Sequence, residues 1–394
     1  MTPAARIASA ADILDQILAG SPAERALTNW GRANRFAGSG DRSAIRDHVF
    51  GALRCLRSCT ALSGAGTPGG RALMIGALVA EGRAIDETFN GAGHAPAPLT
   101  REERSALAAA PALADLTLGQ QIDCPDWLLG PLADSLGDDL VAVMAAQRQR
   151  ADVYLRVNLR RIGRNEAMAA LLAEGIETEA TPKVDGGLRV VGRSNKVKSS
   201  TAYLDGLVEL QDLSSQCAVE GLPLADGMKV LDFCAGGGGK SLAMAGRVAC
   251  DLTAHDLMPE RMRDLGVRAK RASISIRVAT LDQLLGQGFD LVLIDAPCSG
   301  SGTWRRAPDA KWRLTETRLA ELVALQSSIL ADAAVFVRPG GALAYMTCSI
   351  LKCENEDRIE GFLAGNSGFI FDNDTRFLPL TGGDGFFAAS MTRV

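Results

Sequence analysis

Two cysteines stand where chemistry is most easily done. Cys298 follows Asp295-Ala-Pro at the end of the apolar run Leu291–Ile294, and the small-residue loop Ser299–Thr303 comes next. Cys348 lies in Thr347-Cys348-Ser349, at the end of a second strand-like run, Gly341–Met346. Branched apolar runs of this length have the composition of buried parallel strands. In open α/β sheets, ligands sit outside the carboxyl ends of the strands, so both thiols and Asp295 are expected to face one crevice. Cysteine is the side chain best suited to nucleophilic addition near neutral pH. Taken singly, a cysteine closing a buried strand is usually a small hydrophobe. Two at the ends of two strands of one sheet point to a reacting pair.

A second constellation precedes them. Residues 232–241 read Asp-Phe-Cys-Ala-Gly-Gly-Gly-Gly-Lys-Ser, and four consecutive glycines let the backbone turn tightly against a ligand before a helix begins. A phosphate-binding P-loop would need glycine at position 234, which is Cys234, so that pattern fails at its first glycine. The dinucleotide spacing is met only trivially by a glycine run. The next strand ends in Asp256, about where an acid meets a ribose hydroxyl pair in nucleoside-binding folds. Asp282, after the third strand, is within reach of an adenine amine. Each acid alone is more often a helix N-cap. Three at successive strand ends beside a glycine loop indicate a nucleoside-bearing ligand.

The elements that must position these groups alternate from about residue 205. Strands are predicted near Lys229–Phe233, Leu252–His255, Ile276–Ala279, Asp290–Ile294 and Ala342–Met346, with helices at Ser241–Ala249, Pro259–Arg271 and Glu316–Val337. Such alternation means an α/β fold with a doubly wound, mainly parallel, Rossmann-like sheet. Residues 1–145 are alanine-rich with helical periodicity, notably at Ala5–Leu18, from Asp41 as N-cap onward, and at Arg101–Ala110 and Trp127–Met144. His48 with Cys55 and Cys59 fits an ordinary helix face better than a partial metal site. Between the two regions, Gln147–Arg164 holds Arg148, Arg150, Arg156, Arg160, Arg161 and Arg164 against one acid, Asp152. Strands at Tyr154–Leu159, Glu177–Ala180 and Leu188–Val191, a helix at Arg164–Gly175 and a turn at Asp185-Gly-Gly make a small β-α-β-β unit. With Lys196 and Lys198 it presents a basic stripe, read evenly as a phosphate-contacting surface or a solvated face. The domains expected are 1–145, 146–204 and 205–394.

Composition bounds the function. Of 394 residues, 47% are hydrophobic and only 5% aromatic, which argues against a surface built mainly on base-stacking rings. A net charge of −4 argues against a generally basic coat but leaves room for a local channel. Nine cysteines without a Cys-x-x-Cys pair read as thiols, and with three scattered histidines no metal site is expected. No membrane-length apolar run and no leader pattern is present, so a cytoplasmic protein without membrane contact is expected, and separately a monomer.

These residues resemble the Sun/RsmB-type family of S-adenosylmethionine-dependent RNA cytosine carbon-5 methyltransferases. The resemblance rests on Gln211-Asp-Leu-Ser-Ser-Gln216, Asp232–Lys240, Asp256, Asp282, Asp295–Gly300, Thr347–Ser349 with Glu354-Asn355, and Asp384-Gly-Phe-Phe387, similar to the family's closing hairpin. Asp41-Arg-Ser and Phe50-Gly-Ala-Leu-Arg54 are similar to the all-α, NusB-like helical domain of the RsmB branch, and residues 146–204 then read as a small α+β RNA-binding unit. The resemblance implies a methyltransferase with S-adenosylmethionine as cofactor and RNA, ribosomal RNA first, as partner. It implies Cys348 as nucleophile, Cys298 in product release, Asp295 on the cytosine ring and Lys240 at the active site. Cys234, Ala235, Gly236, Gly237, Gly238, Gly239 and Lys240, with Asp256, Asp282 and Asp295, would hold the cofactor. One departure is that Gly237 or Gly238 stands where the family has proline, which implies a more flexible loop. Trp304-Arg-Arg306 and Lys311-Trp-Arg313 read as RNA contacts, against a helix-entry loop with a buried tryptophan. Competing readings are a transfer-RNA methyltransferase, a DNA cytosine methyltransferase whose nucleophile is the Pro-Cys thiol, and a non-catalytic RNA-binding assembly factor.

Overall fold

Helical periodicity governs the first 150 residues of the structure, a computed structural model that describes residues 1–192 and 194–394. The chain forms two compact units, one of residues 1–150 with 304–314 and one of residues 151–303 with 315–394. In the first, the helix Pro3–Leu18 opens with Thr2 accepting the Ala5 amide at 3.2 Å and buries Ile7, Ile13, Leu14 and Ile17. The helix expected to start at Asp41 runs instead over Ser39–Arg54. Asp41 occupies its third position, where its carboxylate accepts the Gly38 amide at 3.3 Å and Arg6 Nε at 2.8 Å. The single helix expected over Trp127–Met144 is two, Asp126–Leu136 and Leu140–Gln147, because Gly137 turns the chain with φ of 52°. Cys59 is buried in the apolar core of this unit, and Cys55 accepts from Arg148 Nε at 3.5 Å.

The stretch expected to meet RNA belongs to this helical unit. Trp304 and Lys311 are 1% and 2% exposed, and Arg305 is buried. Trp312 Nε1 donates to the Leu53 carbonyl at 2.6 Å, Arg54 Nε to that of Arg305 at 2.7 Å, and the Asp309 carboxylate accepts the Ala23 amide at 3.3 Å. Burial pulls the Lys311 ammonium down to about 8. The Trp304 indole and the Lys311 ammonium are therefore withdrawn from solvent, as the buried-tryptophan alternative has it, whereas Arg306 and Trp312 are half-buried and Arg313 is exposed and paired with Asp309 at 3.0 Å.

The second unit carries two sheets. β1 (Tyr154–Val157), β2 (Glu177–Ala180), β3 (Gly187–Val191) and β4 (Val208–Leu210) form an antiparallel sheet in the order β2-β3-β1-β4, with the helix Arg164–Ala173 between β1 and β2. The fourth strand, too short to give a periodic signal in the sequence, is only three residues long. The large sheet comprises β5 (Lys229–Asp232), β6 (Asp251–Ala254), β7 (Arg277–Val278), β8 (Phe289–Asp295), β9 (Val337–Thr347), β10 (Phe369–Phe377) and β11 (Phe386–Arg393), in the order β10-β11-β9-β8-β5-β6-β7. The five strands β5 to β9 pair in parallel, and β11 and β10 add antiparallel. β7 shrinks to two residues because it is an edge with one neighbour. Residues 291–294 of β8 and 341–347 of β9 are buried, which their apolar runs require, with helices on the sheet's faces. Among the described residues, no helix is long and apolar enough to cross a membrane.

Candidate active site

Strand order creates the site. From β5 the chain winds outward to β6 and β7, then returns to β8 on the other flank of β5, so the crossovers diverge between β5 and β8. Ligands of doubly wound sheets lie at this switch point, beyond the carboxyl ends. Asp232 ends β5 and is fully buried, accepting from Ser241 Oγ at 2.5 Å; burial pushes its carboxyl up to about 7. The glycine run follows. Gly236 and Gly238 hold φ of 48° and 81°, and a Cβ at Gly238 would come within 2.0 Å of Leu265, so these positions require glycine. Nothing lies within 4 Å of a Cβ built at Gly239.

Asp256, just beyond β6, is buried at 3% exposure and organises the loop. Its Oδ2 accepts the Gly236 amide at 2.9 Å, its Oδ1 accepts the Met258 amide at 3.0 Å, and Arg261 stands 3.6 Å away. Asp282 is exposed in the first turn of the short helix Leu281–Leu284, whose cap is the Thr280/Gln283 pair, so Asp282 is not the cap. Cys234 lies beside the loop, half-buried, its thiol pushed up by burial.

Lys240 turns back across the switch point. Its Nζ donates to Asp295 Oδ2 at 2.7 Å, at the end of β8, and lies 4.9 Å from the Phe386 ring centroid. Burial alone would lower the ammonium, but Asp295 beside it raises it on balance.

The two thiols meet. Cys298 Sγ and Cys348 Sγ are 3.4 Å apart, both free. Their charges divide unequally: Cys348 is held below the usual thiol range by the S–H that Cys298 donates, aided by the Lys240 ammonium. Cys298 is pushed well above it by the same hydrogen bond and by burial. Of the two, Cys348 is therefore the thiol that loses its proton more readily.

One carboxylate clamps both cysteine loops. Glu354, fully buried, accepts the Ser299 amide at 2.7 Å and Oγ at 2.5 Å from the Cys298 loop, and Ser349 Oγ at 2.5 Å from the Cys348 loop. Gln326 Nε2 adds a fourth donor at 3.0 Å. Four donors offset the cost of burying this charge. Thr347 Oγ1 donates to Asn355 at 2.6 Å, and the Gly302 amide donates to the Cys348 carbonyl at 2.9 Å. Sequence reasoning gives Glu354 and Gln326 no such role; the signal available is the serine flanking each cysteine, a hydroxyl in search of an acceptor.

The basic stripe is largely committed elsewhere. Arg156 bonds Gln211 and the Gly239 carbonyl, the latter at 3.1 Å. Arg160 donates to the Ala245 carbonyl at 3.0 Å, and Arg161 to those of Asp205 and Arg271. Arg150 pairs with Asp47 and Arg148 with Asp123, each at 3.1 Å. Lys196 and Lys198 remain exposed.

A seven-stranded sheet with this order, a glycine loop after β5 and acids at the strand ends define a Rossmann-like methyltransferase fold. Residues 220–392 match the family model described as 16S rRNA methyltransferase RsmB/F, and residues 124–196 match the ferredoxin-like domain of RsmF/B-like methyltransferases. The ribosomal RNA small subunit methyltransferase B of Xylella fastidiosa (strain 9a5c) is 32% identical over 288 residues, 68% of this chain and 68% of that protein. That of Photorhabdus laumondii subsp. laumondii is 34% identical over 285 residues, 68% of this chain but 66% of the relative, just under two thirds of its length. The chain belongs to the RsmB/F methyltransferase family. Among solved structures, PH0851 superposes with a TM-score of 0.78 at 23% identity, covering 100% of this chain and 99% of that one. NSun6 from Pyrococcus horikoshii with SFG gives 0.63 at 18% identity over 68% of this chain and 98% of that one. Both likenesses show the fold.

Proposed function

We propose that the chain methylates carbon 5 of a cytosine in RNA, ribosomal RNA first, with S-adenosylmethionine as methyl donor. The observation that carries this reading is the thiol pair, 3.4 Å apart beside the Lys240–Asp295 ion pair. Carbon 5 of cytosine is a poor nucleophile until something adds to carbon 6, and a thiolate suits that addition. Cys348 adds to carbon 6 as the thiolate. Cys298 stands beside the adduct for the later stage: once it has given up its own proton, its thiolate takes the carbon-5 proton, the carbon 5–carbon 6 double bond re-forms, and the bond from carbon 6 to sulfur breaks to release Cys348 as thiolate. Asp295, oriented by Lys240, hydrogen-bonds the cytosine ring or amine and favours the charge that develops there. The base must leave any stack to reach this crevice.

The loop fits the cofactor. Gly236, Gly237, Gly238 and Gly239 present backbone without side chains, open at Gly239, and Asp256 places a carboxylate against that backbone. Cys234, Ala235, Lys240, Asp256, Asp282 and Asp295 complete the proposed binding set. When bound there, S-adenosylmethionine supplies the electrophilic methyl group that the activated carbon 5 receives.

The relatives' printed names, ribosomal RNA small subunit methyltransferase B, support ribosomal RNA as the substrate. Bisulfite sequencing of total RNA with and without the gene tests the reading. Loss of one or more protected cytosines in small-subunit ribosomal RNA is expected. Loss confined to transfer RNA would move the substrate, and no loss in any RNA would overturn the reading.

A further inference from the structure

Two arginine relays run from the small sheet to the glycine loop. On β4, Glu209 Oε2 accepts from Arg271 Nη2 at 2.6 Å and lies 3.5 Å from Arg268 Nε. Arg268 Nη1 in turn donates to the carbonyl of Gly237. On β1, Arg156 donates to the carbonyl of Gly239, where Gln211 Nε2 also approaches at 3.4 Å. Two carbonyls of one four-glycine turn are thus held by guanidinium groups whose partners belong to the other sheet.

Gly237 differs from its neighbours. Gly236 and Gly238 hold left-handed φ angles, whereas Gly237 does not, so its backbone would accept any L residue. What crowds a side chain there is Arg268: a Cβ at 237 would stand 3.1 Å from its Nη1, close enough that the guanidinium would have to shift by a few tenths of an ångström. The guanidinium fills the space a side chain would occupy and hydrogen-bonds the same residue's carbonyl. A run of four glycines loses more conformational freedom on ordering than any other sequence, and binding to it carries that cost unless something orders it beforehand.

We propose that Arg268, seated on Glu209, is a positioning residue that pre-orders the glycine loop, so that the small sheet sets the chain's affinity for its adenosyl cofactor. This rests on the S-adenosylmethionine reading above. The stiffness that the glycine run lacks in its own backbone is supplied across the unit by Glu209 and Arg268, with Arg156 and Gln211 holding the loop's other end.

Isothermal titration of the full chain with S-adenosylhomocysteine tests this. Arg268→Ala should weaken binding about tenfold, the scale of one charged hydrogen bond. Glu209→Gln should weaken it less, and the double variant should bind no worse than Arg268→Ala, because of the two arginines on Glu209 it is Arg268 that bonds the glycine loop. The sign of Gly237→Ala is the discriminating readout. In the wild-type background it should weaken binding, since the methyl group presses on the Arg268 guanidinium and strains its hydrogen bond to the Gly237 carbonyl. In the Arg268→Ala background it should strengthen binding about two- to fivefold, since alanine then restricts an otherwise free loop. A general loss of structure would weaken every variant and lower the thermal midpoint together, and would overturn the proposal. Wild-type affinity in Arg268→Ala would do the same. If the wild-type chain itself fails to bind S-adenosylhomocysteine, the cofactor reading fails instead.

Discussion

Cys298 and Cys348 stand 3.4 Å apart, Sγ to Sγ, on loops that the buried Glu354 carboxylate joins. The hydrogen bond between them lowers the Cys348 thiol and raises that of Cys298, so the two are chemically unequal before any substrate arrives. That inequality is testable. Cys348→Ala should be inactive and leave RNA free on a denaturing gel. Cys298→Ala should still add to the base but stall at release, accumulating an enzyme–RNA species that survives denaturant. General acid–base assistance contributes about 10²–10⁴-fold, enough to make the trapped species visible. The opposite pattern would mean that the Pro-Cys thiol is the nucleophile.

The same hydrogen bond predicts a pH dependence. Donation from Cys298 lowers the Cys348 thiol, so removing the donor must raise it. Alkylation of Cys348 by iodoacetamide, followed by peptide mass spectrometry across pH, should begin at lower pH in the wild type than in Cys298→Ala. Coincident profiles would show that the two thiols do not share a proton.

Asp256 accepts two loop amides, so its removal should loosen the cofactor site as well as delete a charged acceptor. Asp256→Ala is expected to cost roughly 1.5–3 kcal/mol of S-adenosylhomocysteine affinity, and Asp256→Asn less because one acceptor oxygen remains. Unchanged calorimetric affinity would remove Asp256 from the site.

Trp304 is among the largest fully buried side chains of the chain, at 1% exposure. Trp304→Ala should therefore destabilise the protein by about 3–5 kcal/mol, read as a lower denaturation midpoint. The salt dependence of RNA binding, measured below that midpoint, should not change. A flattened salt slope with an unmoved midpoint would restore this segment as an RNA contact.

Lys196 and Lys198 are exposed, unlike Arg156, whose guanidinium holds the Gly239 carbonyl. Reversing both lysines to glutamate should weaken RNA binding and reduce the salt slope by about one for each phosphate no longer neutralised. Cofactor affinity should be unaltered.

What the sequence by itself determined is local. Strand ends, glycine loop and cysteine positions are legible because apolar period and turn chemistry are properties of short windows. Asp232, Asp256, Asp295, Cys298 and Cys348 therefore fall at the strand ends where those windows place them. Even there, cooperative details escape: Gly137 divides a helix, and an edge position shortens β7 to two residues.

Only the tertiary structure decided which long side chains meet. Arg156 reads on β1 like any other member of a basic stripe, yet its guanidinium lies against the Gly239 carbonyl. Arg268 falls within the helix predicted over Pro259–Arg271 with no partner assigned, yet it reaches Gly237. Trp304 and Lys311 read as a surface suited to RNA and are instead buried. In each case a flexible side chain can satisfy its charge or bury its apolar body against several partners, and short sequence windows do not encode the choice. The backbone of a partner distant in sequence makes that choice, by placing an open carbonyl or a vacant volume within reach.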